Sequence, residues 1–246
     1  MFRTLNADEI DVRIAQIDKN WCTLLLYKDA RVDQNILDET VGPMNWQKRY
    51  VRENANCIVG IWDNEKQQWV EKEDTGTESF SEAEKGLASD SFKRACFNWG
   101  IGRELYTSPS IFIFPRKEIK YKNNGKEVDE FYEYKKINDK PVYTTKTRFY
   151  VDYIGYDENK NIIDLLIRDD KNNIRFEELS EKTAKERNKK ILKFKKLIEQ
   201  NEEKDEKFER EKVYEHFGAK VDTQIKWNDL DKAIELLEKR LKEIDK

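Results

Sequence analysis

Residues 74–106 read DTGTESFSEAEKGLASDSFKRACFNWGIGRELY. This stretch leaves a strand-like run, crosses a Gly/Thr/Ser connection and enters a helix. Ser81 and Glu84 have the Ser-x-x-Glu spacing of a capping box, which marks the helix start. Leu87, Ser91, Ala95 and Trp99 then recur every four residues, with Ala88 and Phe92 beside them, and form one apolar stripe to press on a sheet. Gly100 and Gly102 end the helix. Its polar side carries Lys85, Lys93 and Arg94. Adjacent Lys93 and Arg94 diverge by about 100° on a helix, so they can hold neighbouring phosphates without crowding one. Read on composition alone, the same residues are ordinary surface cations of an amphipathic helix.

Outward from this helix, the preceding chain reads as sheet. Asn45 to Arg52 opens a meander, and Cys57 to Trp62 and Gln67 to Glu73 supply its next strands, joined by Asp63-Asn64-Glu65-Lys66. Trp21 to Lys28 is a strand, Arg31 to Thr40 has Val32, Ile36 and Leu37 at helical spacing, and Val41-Gly42-Pro43 is a turn. Leu5 to Asp18 is expected as a short helix, with Ile10, Ile14 and Ile17 on one face and Arg13 off it.

This order of parts resembles the Rad-fifty-two superfamily of single-strand annealing proteins, whose phage members drive recombination. The resemblance rests on Asp74-Thr75-Gly76, Lys85, Asp90-Ser91-Phe92-Lys93-Arg94-Ala95 and Trp99-Gly100-Ile101-Gly102, with Ile10-Asp11-Val12-Arg13 and a looser Asn45-Trp46 upstream, and it covers residues 5–106. It implies ATP-independent binding of single-stranded DNA and annealing of complementary strands in recombination and repair. It also implies a ring or helical homo-oligomer and a DNA groove lined by Arg13, Lys85, Lys93 and Arg94. The expected fold is α+β: an antiparallel β-meander packed on a long helix, then a β-hairpin extension and a helical C-terminal tail. The expected divisions are an annealing core at 1–115, a basic and aromatic extension at 116–178 and a charged helical segment at 179–246.

Beyond Tyr106 the resemblance fades. Ile111 to Phe114 is a short apolar strand stopped by Pro115, and Ile119 to Tyr121 and Val128 to Ile137 flank Asn123-Asn124-Gly125, a hairpin signal. Thr145 to Tyr156 and Ile162 to Arg168 flank a second turn at 157–161, and Ile174 to Phe176 adds a strand. Basic and aromatic residues alternate through this part, among them Tyr121, Lys122, Phe131, Tyr132, Tyr134, Lys135 and Lys136. They suit either stacking and phosphate contact with a single strand or ordinary sheet packing with lysine-blunted edges. Ser180 to Lys212 is nearly all charged; Ile191, Phe194, Leu197 and Ile198 give it one short apolar patch at helical spacing, and the rest reads as a solvated helix or flexible linker. Asn228-Asp229 then starts a helix with Leu230, Ala233, Ile234, Leu237, Leu241 and Ile244 on one side. That helix either docks a protein partner through residues 229–246 or folds back on its own chain.

Composition narrows the chemistry. The 246 residues are 39% charged with a formal net charge of −3, distributed unevenly. Residues 1–115 hold 14 basic and 19 acidic side chains, 116–196 hold 22 and 16, and 197–246 hold 11 and 15. A basic middle between acidic ends allows a local phosphate-binding face. Cys22, Cys57 and Cys96 are odd in number and far apart, as free thiols of a reducing cytoplasm are; the resemblance implies that this is the cytoplasm of a bacterial host cell. His216 is the only histidine, so a Ser-His-acid triad is not expected. No P-loop is present, and Gly100-Ile101-Gly102 follows a helix, the wrong context for a dinucleotide. No metal, cofactor or membrane partner is expected, and the chain is not expected to be an enzyme. The alternatives are a protein that protects single strands or DNA ends without annealing them, a pure interaction scaffold, and a Mg²⁺-dependent nuclease built around Glu118-Ile119-Lys120.

Overall fold

The structure is a computed structural model that describes residues 2–77 and 83–244; the side chains of 83–85 lie outside the description. In chain order the strands and helices are β1 (Asp11–Ile17), β2 (Cys22–Tyr27), α1 (Ala30–Val41), β3 (Trp46–Val51), β4 (Asn56–Asp63), β5 (Gln68–Thr75), α2 (Ala83–Trp99) and β6 (Ile111–Ile113). There follow β7 (Lys120–Asn123), β8 (Lys126–Asp129), β9 (Tyr132–Ile137), β10 (Lys140–Thr144), β11 (Phe149–Tyr156), β12 (Ile162–Asp169), β13 (Ile174–Glu178), α3 (Glu181–Lys204), α4 (Arg210–His216) and α5 (Trp227–Ile244). The protein is therefore mixed α+β, with antiparallel strands and helices of up to 24 residues. It divides into two compact units: residues 1–11 with 26–108, and residues 12–25 with 109–246.

In the first unit, β3, β4 and β5 form the antiparallel meander in that order. Its register puts Trp46, Lys48 and Tyr50 on the same face as Cys57, Val59 and Ile61, and α2 packs on that face. The apolar stripe of α2 is as the spacing predicts: Ser91, Phe92 and Ala95 are buried, and the Trp99 indole donates to Val59 O at 3.1 Å. Gly76 is where strand and helix meet. A Cβ there would lie 2.5 Å from Ser91 N and 2.6 Å from Leu87 O, so only hydrogen fits. α1 is capped by Asp29, whose carboxylate accepts from Arg31 N, and buries Ile36 and Leu37. The N-terminal segment is fastened by Glu104, a buried carboxylate that accepts from Leu5 N at 2.7 Å.

The same unit contains a charged pair inside its core. Lys28 and Asp33 are almost fully buried and bonded to each other, with the Lys28 ammonium 4.4 Å from the Phe97 ring centroid. Burial pushes the Asp33 carboxyl up to about 6 against the pull of Lys28. Gly102, at φ +73, leaves room for that lysine, because a Cβ would stand 2.2 Å from Lys28 Cε.

The second unit is built on a six-stranded sheet ordered β13-β12-β11-β1-β2-β6. Its two edge strands approach each other and are joined by arginines in place of a backbone ladder. Arg175 of β13 donates to Phe114 O at 2.9 Å, and Arg116 donates to Ile174 O at 2.8 Å. Arg175 is itself buried among Glu130 and Asp169, so its charge is balanced. Two aspartates of the sheet start helices. Asp164 accepts from Ser180 N and Thr183 Oγ1 at the head of α3, and Asp152 accepts from Trp227 N at the head of α5. Asp152 also holds buried Arg168, whose other donors reach Asn172 O, Thr223 O and Ile225 O.

Several sequence expectations change. Residues 5–18 are not a helix: after a short 3-10 turn at Ala7–Glu9 they form β1, with Val12, Ile14 and Ile17 half-buried and Arg13 exposed. The β-branched run Ile10, Val12, Ile14 fits a period of two as well as Ile10, Ile14, Ile17 fits a helix, and pairing between β2 and β11 decides it. The expected single strand Val128 to Ile137 is two, β8 and β9, broken at buried Glu130 and Phe131, and β9 pairs with β10, which the sequence did not suggest. The charged run from Ser180 is helical through Lys204 and partly buried, with Phe194, Leu197 and Ile198 in one cluster with Val213, Leu230, Ile234 and Leu237. The last helix thus folds back on its own chain. The capping pair at α2 falls on Ser81, outside the described residues, and on the undescribed side chain of Glu84.

Candidate nucleic-acid interface

α2 carries two of the four residues singled out for DNA in positions where they can be assessed. Its buried stripe and the contact at Gly76 fix the helix by backbone, so its outer side chains have a rigid base. Lys93 and Arg94 are both partly exposed and leave the helix on different flanks. Arg94 turns to Asp74 of β5, its Nε 3.4 Å from Oδ1, with the Arg94 side chain 43% exposed. Asn98 donates to the other oxygen of Asp74 at 3.2 Å and to Glu73 O at 3.0 Å. Lys93 lies on the flank of α1, within electrostatic reach of Asp29 and Asp33. Asp29 itself is held below the usual carboxylate range, first by its hydrogen bonds from Arg31 and less by Lys93.

Each cation therefore has an acidic neighbour. A solvated pair at 3.4 Å contributes little, about 0–1 kcal/mol. Asp74 thus orients Arg94 without neutralising it for a stronger acceptor. A phosphate that takes the remaining guanidinium edge makes parallel, charge-assisted bonds, which are roughly twice as strong as neutral ones.

Asp74-Thr75-Gly76 is the joint that holds this arrangement. Asp74 sets Arg94, Thr75 donates through its hydroxyl to Asn56 Oδ1 at 3.1 Å, and Gly76 N donates to Ala55 O at 2.8 Å. On the helix side, Asp90 accepts from both Thr77 N and Thr77 Oγ1. The residues of this motif are accordingly brought together around one strand-to-helix connection.

Two further cations escape a reading of the sequence alone. Lys48 of β3 and Lys72 of β5 both pair with Val59 of β4, so they stand on the helix side of the sheet on either side of the central strand. Lys48 lies 4.3 Å from the Phe92 ring centroid, and Lys72 lies 4.5 Å from that of Trp99 and donates to Asn98 O at 2.7 Å. Alternation could have found Lys48, which shares a strand face with Trp46 and Tyr50.

The remaining expected site residues are placed differently. Arg13 is exposed on β1, in the second unit, while Lys93 and Arg94 belong to the first. The side chain of Lys85 lies outside the described residues. Glu118 is exposed and 3.6 Å from Arg116, and among the described residues no three His, Cys, Asp or Glu side chains are grouped to hold a metal ion. Among the same residues no helix is long and apolar enough to cross a membrane. Compared with known proteins, the chain matches no family model, no curated protein and no solved structure.

Proposed function

We propose that this chain binds single-stranded DNA through its sugar-phosphate backbone and anneals complementary strands without ATP. The observation that carries the reading is the pair Lys93–Arg94, partly exposed on consecutive positions of a helix locked to its sheet at Gly76. The resemblance of Asp74-Thr75-Gly76, Asp90 to Ala95 and Trp99 to Gly102 to the Rad-fifty-two superfamily supports it, and with it a Rad-fifty-two-like annealing core. Annealing needs no fuel, because pairing releases roughly 1.4 kcal/mol per base-pair step. What it needs is a protein that holds phosphates and leaves base edges free, since a grip on the bases would block pairing. Cations on a rigid helix meet that requirement. Arg13 and Lys85 are proposed as further DNA contacts on the resemblance alone. A ring or helical homo-oligomer acting in recombination and repair, in the cytoplasm of a phage-bearing bacterial cell, belongs to the same proposal.

Anisotropy with a labelled oligonucleotide tests the reading. Wild type should bind with little sequence preference and lose affinity steeply with salt. Lys93→Ala with Arg94→Ala should lose most of that affinity and reduce the salt slope by about 0.7 for each phosphate no longer neutralised. Equal affinity of the double variant at moderate salt would remove the pair from the site. Mixing two complementary oligonucleotides then separates annealing from coating, because a protector slows pairing and a nuclease shortens the strands.

A further inference from the structure

The hairpin β9–β10 is a sheet of its own, with only two strands. Tyr132 at its base is buried and Val142 to Thr144 are half-buried, but residues 133–141 are all exposed, so the outer part of the hairpin is not covered by this chain. Its tip is well defined: Asn138 and Asp139 at φ +49 and +60 make the left-handed two-residue turn that matches strand twist, and a bulge sits between Val142 and Tyr143. Isolated two-stranded hairpins are marginal in water, and this one displays Tyr134 at 61% and Ile137 at 50% exposure. Such a ribbon is completed by what it binds.

Charge indicates what that is. Residues 116–149 hold ten basic and six acidic side chains, and one of the acids, Glu130, is buried against Arg175. Lys135, Lys136 and Lys140 surround the hairpin tip, with the Lys135 ammonium 5.6 Å from the Tyr134 ring centroid. Protein interfaces are depleted in lysine, whereas single-strand grooves combine lysines for phosphate with an exposed aromatic face for a base. We infer that the β9–β10 hairpin is a second nucleic-acid contact, an arm on which Tyr134 stacks against a base of single-stranded DNA while Lys135, Lys136 and Lys140 hold the adjoining phosphates. The inference rests on the single-strand reading of α2 and adds to it a contact that touches bases. One stacked base is compatible with annealing because stacking uses the ring face and leaves the pairing edge open.

The test uses the full chain and a fluorescein-labelled thirty-nucleotide oligo-dT. Tyr134→Ala should weaken binding about 5- to 150-fold and Tyr134→Phe should restore it, since stacking needs the ring and not the hydroxyl. The triple change of Lys135, Lys136 and Lys140 to Ala should lower the salt slope by about 2. Ultraviolet cross-linking to an oligonucleotide containing 5-iododeoxyuridine, followed by peptide mapping, should place an adduct at Tyr134. Wild-type affinity in Tyr134→Ala and in the triple variant, alongside weakened binding by Lys93→Ala/Arg94→Ala, would overturn the arm and leave the α2 reading standing. No binding by wild type would defeat the α2 reading and the arm together. Loss of self-association by sedimentation with DNA affinity intact would identify the arm as a contact between copies of the chain and overturn the inference.

Discussion

Gly76→Ala puts one methyl group where the first unit has no space. The added carbon would stand 2.5 Å from Ser91 N and 2.6 Å from Leu87 O, both backbone atoms of α2. Ordinary carbon contacts lie near 3.5 Å, so helix and strand must separate by about 1 Å. Backbone of a packed helix does not yield as a flexible side chain would, and overpacking of this kind costs about 1–3 kcal/mol. Against it stands the lower entropy of the unfolded chain with Ala in place of Gly, about 0.4–1 kcal/mol. The net expectation is a loss of about 1–2 kcal/mol. Urea unfolding followed by tryptophan fluorescence reports it well, because Trp46, Trp62, Trp69 and Trp99, four of the six tryptophans, belong to the first unit. For an m-value of about 1–3 kcal/mol/M the midpoint should fall by roughly 0.3–2 M. Displacing α2 also moves Arg94 away from Asp74, so affinity for an oligonucleotide should drop in the folded variant. A midpoint equal to or above that of wild type would show that the strand-to-helix joint is looser than its geometry, and the rigid base assigned to Lys93 and Arg94 would go with it.

The buried pair makes a second prediction: Lys28→Met should cost about 3–5 kcal/mol by leaving Asp33 unpaired, and adding Asp33→Leu should recover much of the loss, both read from the same unfolding curves. Asp33 also sets a pH dependence. Its carboxyl, pushed from 3.8 to about 6 in the folded state, binds protons more tightly there than in the unfolded chain, so its contribution is fully present below about pH 4 and fades as pH rises through 6. Midpoints measured from pH 4 to 7 should show that decline, and the double variant should lack it. In the second unit, Asp152→Ala removes both the partner of buried Arg168 and the carboxylate at the head of α5, and should destabilise the chain by about 3–5 kcal/mol in a thermal melt. An unchanged melting temperature would mean that Arg168 is satisfied by its three carbonyls alone.

Local rules carry a reading of the sequence a long way at α2 and in the meander. The four-residue spacing from Leu87 to Trp99 and the glycines after it depend only on neighbours along the chain, and the structure repeats them. β1 is hidden because its isoleucines satisfy two periods, and what settles the matter is pairing with β2, close in sequence, and β11, more than a hundred residues away. β10 is masked by Pro141, which reads as a strand breaker until the Asn138-Asp139 turn and an uncovered edge make it tolerable. In α3 the apolar patch of Phe194, Leu197 and Ile198 is legible as helical spacing, but that it packs on α4 and α5 depends on how those helices fold back and not on the spacing. At the candidate site, Lys93 and Arg94 are legible as a pair. The carboxylate that steers Arg94 belongs to the same motif, but that Asp74 faces Arg94 twenty residues on emerges only when strand and helix are laid side by side.

The arginine bridges between β6 and β13 give the second unit an unusual kind of fastening. A backbone ladder cannot be removed by changing a side chain, whereas a clasp made of two guanidinium groups can be unhooked by point substitution. With Arg116 and Arg175 replaced by uncharged residues, the curled sheet would lose its closure, and buried Glu130 and Asp169 would lose the cation that balances them. Two raw strand borders would then face the solvent, and the chain would be inclined to polymerise edge to edge.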